Sequence, residues 1–255
     1  VSEDPVSLDE LAPDPAYAAR PAPAEPGSRP RPSLAGLGKV SARERAYRKL
    51  KFRILEGELP PGTTLLESEV AALLSMSRTP IREALIRLEE EELVAIRPRH
   101  GVTIRHQSPD DLQEIYEVFS ALEVAAARLA AERGLSEAER RDLEELMAAM
   151  EAATQEGAIE RWSTLDDRFH AAIVAACGNR RLQATLRLYW DQQYRARMAI
   201  VPLRPSPRTS DCEHRAIVAA ILAQDAATAE ALHRAHRLRA DRMALALLRG
   251  EPMRG

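Results

Sequence analysis

Ser77-Arg78-Thr79-Pro80-Ile81-Arg82-Glu83-Ala84-Leu85-Ile86-Arg87-Leu88 is the stretch on which the reading of this 255-residue chain turns. Ile81, Ala84, Leu85 and Leu88 recur at spacings of three and four, which predicts a short helix with one apolar stripe facing a core. Ser77 or Thr79 is expected to cap its start. Pro80 falls in the first turn, where a missing N–H costs nothing. Arg78, Arg82 and the hydroxyls of Ser77 and Thr79 lie off the stripe. A helix of this kind fits the major groove of DNA, with guanidinium forks toward guanines and hydroxyls toward phosphates.

The flanking sequence supports that expectation. Residues 42–55 form a predicted helix with Ala46, Leu50 and Ile54 on its apolar face, ended by Gly57 and the turn Leu59-Pro60-Pro61-Gly62. A second short helix over 67–74 packs Val70, Leu73 and Leu74. Ser75-Met76-Ser77 then links it to the arginine-bearing helix, making a helix-turn-helix. Two β-prone runs, 93–96 and 102–104, flank Pro98-Arg99-His100-Gly101 and predict a hairpin wing with a loop of four to five residues. A DNA-binding domain over 41–106 is therefore expected. Ahead of it, residues 1–40 hold eight of the 17 prolines and show no apolar period, which reads as a disordered Pro/Ala-rich tail.

Beyond Ser108-Pro109 the chain reads as six helices, about 110–133, 136–154, 158–176, 180–199, 208–223 and 225–248, with breaks at Gly134, Gly157, Gly178, residues 202–207 and Gln224-Asp225. Repeated Leu/Ala faces predict an all-α antiparallel bundle over 109–249. The fold class is thus mainly α: a winged helix-turn-helix with a small β-hairpin, then a helical bundle. Asp166 and His170 are four apart on one helix face, with His214 and His236 on later helices. Converging in a core, one carboxylate and three imidazoles would suit a divalent zinc, nickel or manganese ion. The Asp166/His170 pair alone fits a surface i,i+4 contact equally well. His106 and His233 read as ordinary hydrogen-bonded or exposed side chains, and Trp162, Trp190 and Tyr194 as core.

Hydrophobic residues at 45% suffice for real cores, while aromatics at 4% and abundant Ala, Leu, Glu and Arg favour helix. No run of eighteen apolar residues appears, so a soluble cytoplasmic protein with no membrane partner is expected. Cys177 and Cys212 lack any Cys-x-x-Cys spacing and read as buried thiols in a reducing compartment. A net charge of −3 hides a mild asymmetry: residues 41–105 hold twelve Lys/Arg against ten Asp/Glu, residues 110–255 twenty against twenty-three. Arginine placement therefore has to carry the nucleic-acid argument.

From Tyr47 to Ile104 the chain resembles the GntR-type winged helix-turn-helix of bacterial transcription regulators. The matching residues are Ile54-Leu55-Glu56-Gly57-Glu58-Leu59-Pro60-Pro61-Gly62, Leu66-Glu67, Ser77 to Leu85, Arg87-Leu88-Glu89 and Arg99-His100-Gly101-Val102. Glu92 departs from the family, which usually has a glycine ending the recognition helix. The bundle resembles the FCD-type ligand-binding domain of the FadR branch in its six-helix, VanR-like form, through Asp166 to His170, Gly178-Asn179, Glu213-His214, Asp225 and His236. The resemblance implies DNA contacts from Ser77, Arg78, Thr79, Arg82, His100 and Gly101, and metal ligation by Asp166, His170, His214 and His236. It further implies a homodimer on double-stranded DNA at an inverted-repeat operator, with a small organic acid as effector. Phe119-Ser120 stand where the family often has an arginine that holds a ligand carboxylate. A carboxylate effector would then lean on the ion and on Arg195 or Arg197. The expected function is transcription regulation, most simply repression, without enzymatic activity. The alternatives are a regulator answering to the metal alone and a helical metalloenzyme, for which no general base at a telling spacing is visible.

Overall fold

The computed structural model describes residues 37–251, which divide between His106 and Gln107 into two compact units. The predicted tail lies outside the described residues up to position 36; its last residues, Leu37–Lys39, form a 3-10 turn.

The first unit contains α1 (Ala42–Leu55), β1 (Thr64–Leu65), α2 (Glu67–Leu74), α3 (Arg78–Glu90), β2 (Val94–Arg97) and β3 (Gly101–Ile104). Ser41 caps α1, accepting from the Glu44 amide at 3.2 Å. The Glu69 carboxylate accepts from the Leu66 amide at 2.6 Å and secures the start of α2. The stripe of α3 sits where its periodicity placed it, with Ile81, Ala84, Leu85 and Leu88 buried against Leu50, Ile54, Val70 and Leu74. One expectation needs correction. Ser77 occupies the N-cap position, but its hydroxyl bonds to no helix amide. An N-cap side chain serves the second or third amide of a helix, and the third here is Pro80, which has no N–H.

The sheet also differs from expectation. It has three antiparallel strands in the order β1-β3-β2, with Leu65 opposite Val102 and Arg97 opposite Gly101. Arg97 thus joins the ladder, and the wing loop shrinks to Pro98, Arg99 and His100, with Arg99 at φ 68°. A three-residue hairpin of this kind takes one left-handed residue. Glu92, the departure from the family glycine, sits at φ 57° just past the end of α3, so the left-handed turn is made without glycine.

The second unit consists of α4 (Pro109–Arg133), α5 (Glu137–Gln155), α6 (Ile159–Ala176), α7 (Arg180–Ile200), α8 (Arg208–Leu222) and α9 (Ala226–Arg249). Ser108, Ser136, Asn179 and Asp225 cap four of these helices through their side chains. Helix α4 packs most extensively on α9, and α5 on α6. Trp162, Phe169, Ile217 and Ile221 form part of one core cluster, and Phe119, Cys177, Leu186 and Trp190 part of another, whereas Cys212, expected to be buried, is exposed on α8.

Candidate DNA-binding face and metal centre

In the first unit, Ser77, Arg78, Thr79 and Arg82 are all exposed at the start of α3. Among the described residues no carboxylate pairs with Arg78 or Arg82, whereas Arg87, on the same helix, is held by Glu44 and Glu91 at 3.1 and 3.4 Å. The exposed turn therefore carries free guanidiniums beside a free hydroxyl, at the positive end of the helix dipole. His100 is exposed at the wing tip, flanked by exposed Arg97 and Arg99. These two arginines also lack a carboxylate partner among the described residues, and no motif in the sequence marks them as contacts. Gly101 has a reason for being glycine inside the fold. At φ 90°, a Cβ would sit 2.4 Å from the Leu65 carbonyl oxygen.

In the second unit, α6 supplies Asp166 and His170, α8 supplies His214 and α9 supplies His236. All four are buried, so the surface i,i+4 reading of Asp166 and His170 fails. The Nε2 atoms of His214 and His236 are 3.2 Å apart, and those of His236 and His170 3.4 Å. Asp166 Oδ1 lies 3.6 Å from His214 Nε2 and 3.8 Å from His170 Nε2. Ligands about 2.05 Å from a tetrahedral ion stand about 3.3 Å apart, so the spacing fits a metal centre. Asp166 Oδ1 has no hydrogen-bond partner, although a buried acceptor is normally satisfied. The donor set fits a borderline divalent ion.

The surroundings orient these donors. Glu213 Oε2 accepts from His236 Nδ1 at 2.7 Å, which turns His236 Nε2 toward the cluster. Burial pushes the Glu213 carboxyl up, but hydrogen bonds from His236 and Arg239 outweigh it and hold the pKa at about 2. Phe169 packs against the His214 ring at 4.3 Å, and Trp162, fixed by its Nε1–H to Asp211 at 2.7 Å, stacks with it at 6.2 Å. Burial, reinforced by the neighbouring His236, drives the pKa of His170 and His214 well below the ordinary imidazole value, so both are neutral and have lone pairs to give.

Two further buried groups adjoin the cluster. Glu123 of α4 places Oε1 3.5 Å from His170 Nδ1, and the His233 ring lies 5.4 Å from that of His170. His233, read from sequence as ordinary, is 1% exposed and neither ring nitrogen has a hydrogen-bond partner. Glu123 comes from α4, which supplies none of the four donors, so no spacing marks it; His233 shares α9 with His236 at a spacing of three, the one local signal that it faces the cluster.

The same fold and sequence pattern recur in known proteins. The profile of bacterial regulatory proteins of the gntR family matches residues 42–104, and that of the FCD domain residues 114–239. The HTH-type transcriptional repressor GlaR of Escherichia coli K12 is 31% identical over 202 residues, covering 75% of this chain and 90% of that protein. The chain belongs to the GntR family. This GntR-family protein is also 43% identical over 148 residues to an uncharacterized HTH-type transcriptional regulator in the TAR-I ttuE-ttuC' intergenic region of Agrobacterium vitis, covering 56% of the chain and 83% of the relative. Its fold matches that of E. coli McbR/YncC with a TM-score of 0.67 at 24% identity, covering 80% and 97% of the two chains. It is a DNA-binding transcriptional regulator with an FCD domain; the matched families and relatives are regulators, not enzymes. None of its described helices is long and apolar enough to cross a membrane.

Of the two arginines expected near an effector, Arg197 borders the cavity beside the donor cluster and Arg195 does not. Arg197 is ion-paired with Asp167 and lies 3.7 Å from Asp166 Oδ2. Near Phe119 a cation is present after all, supplied from α9. Arg237 lies over the Phe119 ring, donates to Ser120 Oγ at 3.0 Å and pairs with Glu123 at 3.2 Å and Asp241 at 2.8 Å.

Proposed function

We propose that this regulator binds an inverted-repeat operator as a homodimer, and that its helical unit holds a divalent metal and a small organic acid that releases it from DNA. The observation that carries the metal reading is the convergence of Asp166, His170, His214 and His236 with donor atoms 3.2–3.8 Å apart and the Asp166 oxygen unsatisfied. On the DNA side, Arg78 and Arg82 would contact bases and phosphates, Ser77 and Thr79 phosphates, and His100 with Arg97 and Arg99 the neighbouring groove. Gly101 serves by letting the wing close onto β1. Two-fold related copies of such a head match a two-fold operator. The relative GlaR is named a repressor, which supports repression as the default sign.

When bound, a divalent ion would offer open coordination positions to a carboxylate or hydroxyl oxygen. Around it, His236 is aimed by Glu213, His214 is wedged by Phe169 and Trp162, and Asp166 shares its second oxygen with Arg197. A coupling of about 1–3 kcal/mol between acid and operator would change occupancy five- to about a hundred-fold.

Two measurements test the reading. Arg82→Ala is expected to weaken binding to the promoter upstream of the protein's own gene in a gel shift, with a shallower salt dependence; equal affinity would refute the role of Arg82. Elemental analysis of His214→Ala against wild type is expected to show loss of metal, and unchanged content would remove His214 from the site.

A further inference from the structure

Three guanidiniums border the cavity next to the donor cluster, those of Arg197, Arg204 and Arg237. Two of them are already neutralised. Arg197 is paired with Asp167 and Asp166, and Arg237 with Glu123 and Asp241. Arg204 differs from both: among the described residues no carboxylate lies within ion-pair distance of it, and its side chain donates no hydrogen bond. It stands on the segment between α7 and α8, after the 3-10 turn Val201–Leu203, between exposed Leu203 and Pro205.

The position of Arg204 is fixed. Its guanidinium lies over the Trp162 ring at 4.5 Å, and Trp162 is pinned by Asp211 and stacked with His214. A guanidinium stacked on an aromatic face keeps its N–H edge free, and that edge matches a carboxylate bidentately. Burial works most against its charge, Asp166 favours it, and the nearby Arg197, Arg239 and Arg237 oppose it. An uncompensated cation so placed is costly until an anion arrives.

We propose that Arg204 anchors a second acidic group of the effector, so that the helical unit selects small dicarboxylates over monocarboxylates. This rests on the proposed metal-and-acid reading: one acid group faces the donor cluster, the other the free guanidinium across the same cavity. Asp166, His170 and His236 border the same cavity as Arg204, so an acid with two charged ends can meet both. A monocarboxylate satisfies one end only. Arg197, which the sequence suggested as the anchor, shapes the wall instead, because its charge is already spent on Asp167.

The test uses the full chain loaded with zinc, its metal content measured by elemental analysis. Dicarboxylates of three to six carbons and the monocarboxylates of matching length are titrated by calorimetry into wild type, Arg204→Gln and Arg204→Lys. In wild type at least one diacid is expected to bind tenfold or more tighter than its matched monoacid. Arg204→Gln should abolish that ratio at unchanged zinc content, and Arg204→Lys should keep part of it, since the charge remains and the fork is lost. A wild type with no diacid preference, or a Gln variant that retains it, overturns the proposal. Should wild type hold no zinc, the metal reading fails by itself. The same ratio measured on the zinc-free chain still decides Arg204: its loss in the Gln variant supports the anchor, and its persistence removes it.

Discussion

Gly101 is the point where β1, β3 and the wing loop are forced together. Its φ of 90° and the Leu65 carbonyl 2.4 Å from where a Cβ would stand leave no room for a side chain. Gly101→Ala is therefore expected to destabilise the chain by about 1–3 kcal/mol, read as a lower denaturant midpoint, because the backbone must leave the left-handed region or push β1 away. An unchanged midpoint would mean the β1–β3 pairing is not needed for stability. Glu213 has the corresponding part in the helical unit, acting on the metal donors through His236. Glu213→Gln keeps the shape and removes the charge that orients the His236 Nδ1–H. Metal affinity, measured by competition with a chromophoric chelator, should fall 10- to 100-fold. If affinity holds, packing alone aims the ring.

The joint between α1 and α3 shows how polar groups finish what the apolar stripe begins. Glu91, just past α3, accepts from Tyr47 Oη at 2.7 Å and from Lys51 Nζ at 2.7 Å, while the Arg87 guanidinium lies over the Tyr47 ring at 3.5 Å. Burial, partly offset by Lys51, pushes the Tyr47 hydroxyl up to about 12, so it stays a donor at any working pH. Glu91→Ala would remove the carboxylate that bonds both the buried Lys51 ammonium and the Tyr47 hydroxyl, at a cost of about 2 kcal/mol in urea unfolding. A change below 0.5 kcal/mol would mean that solvent screens the pair. From the sequence, Glu89 to Glu92 reads only as an acidic run, since nothing local marks which carboxylate turns inward. The helices themselves were legible: α1 and α2 begin and end where expected, because caps, glycines and apolar period agree there. Strand β1 was not, as two residues cannot show an alternation and its pairing depends on β3. The same limit hid Glu123, His233, Arg204 and Arg237. Each lies outside the family spacing that marked the four donors, and they meet only once α4, α6, α9 and the segment before α8 are packed.

Burying so many ionisable groups makes stability depend on pH. His170, His214 and His233 have pKa values pulled well below the ordinary imidazole value, by burial first and by the neighbouring His236 next. Between that depressed range and about 6.5 the unfolded chain binds protons on these rings that the folded chain does not, so stability rises with pH. Glu123 acts in the opposite sense. Burial raises its pKa to about 7, so the folded chain holds a proton there that the unfolded chain releases above about 4.5. Burial raises the Asp241 carboxyl in the same sense, and three imidazoles against two carboxyls leave the balance with the histidines. The metal-free chain should therefore lose about 2 kcal/mol between pH 7.0 and 5.5. Zinc needs the same lone pairs that protons would take, so its stabilisation is expected to be largest at pH 7 and to shrink in acid. Thermal unfolding in EDTA and in excess zinc across that range reads both effects. A midpoint in EDTA that does not move would mean these rings are hydrated and able to charge in the folded protein, and the cluster would then no longer be a dry, neutral set of donors poised for an ion.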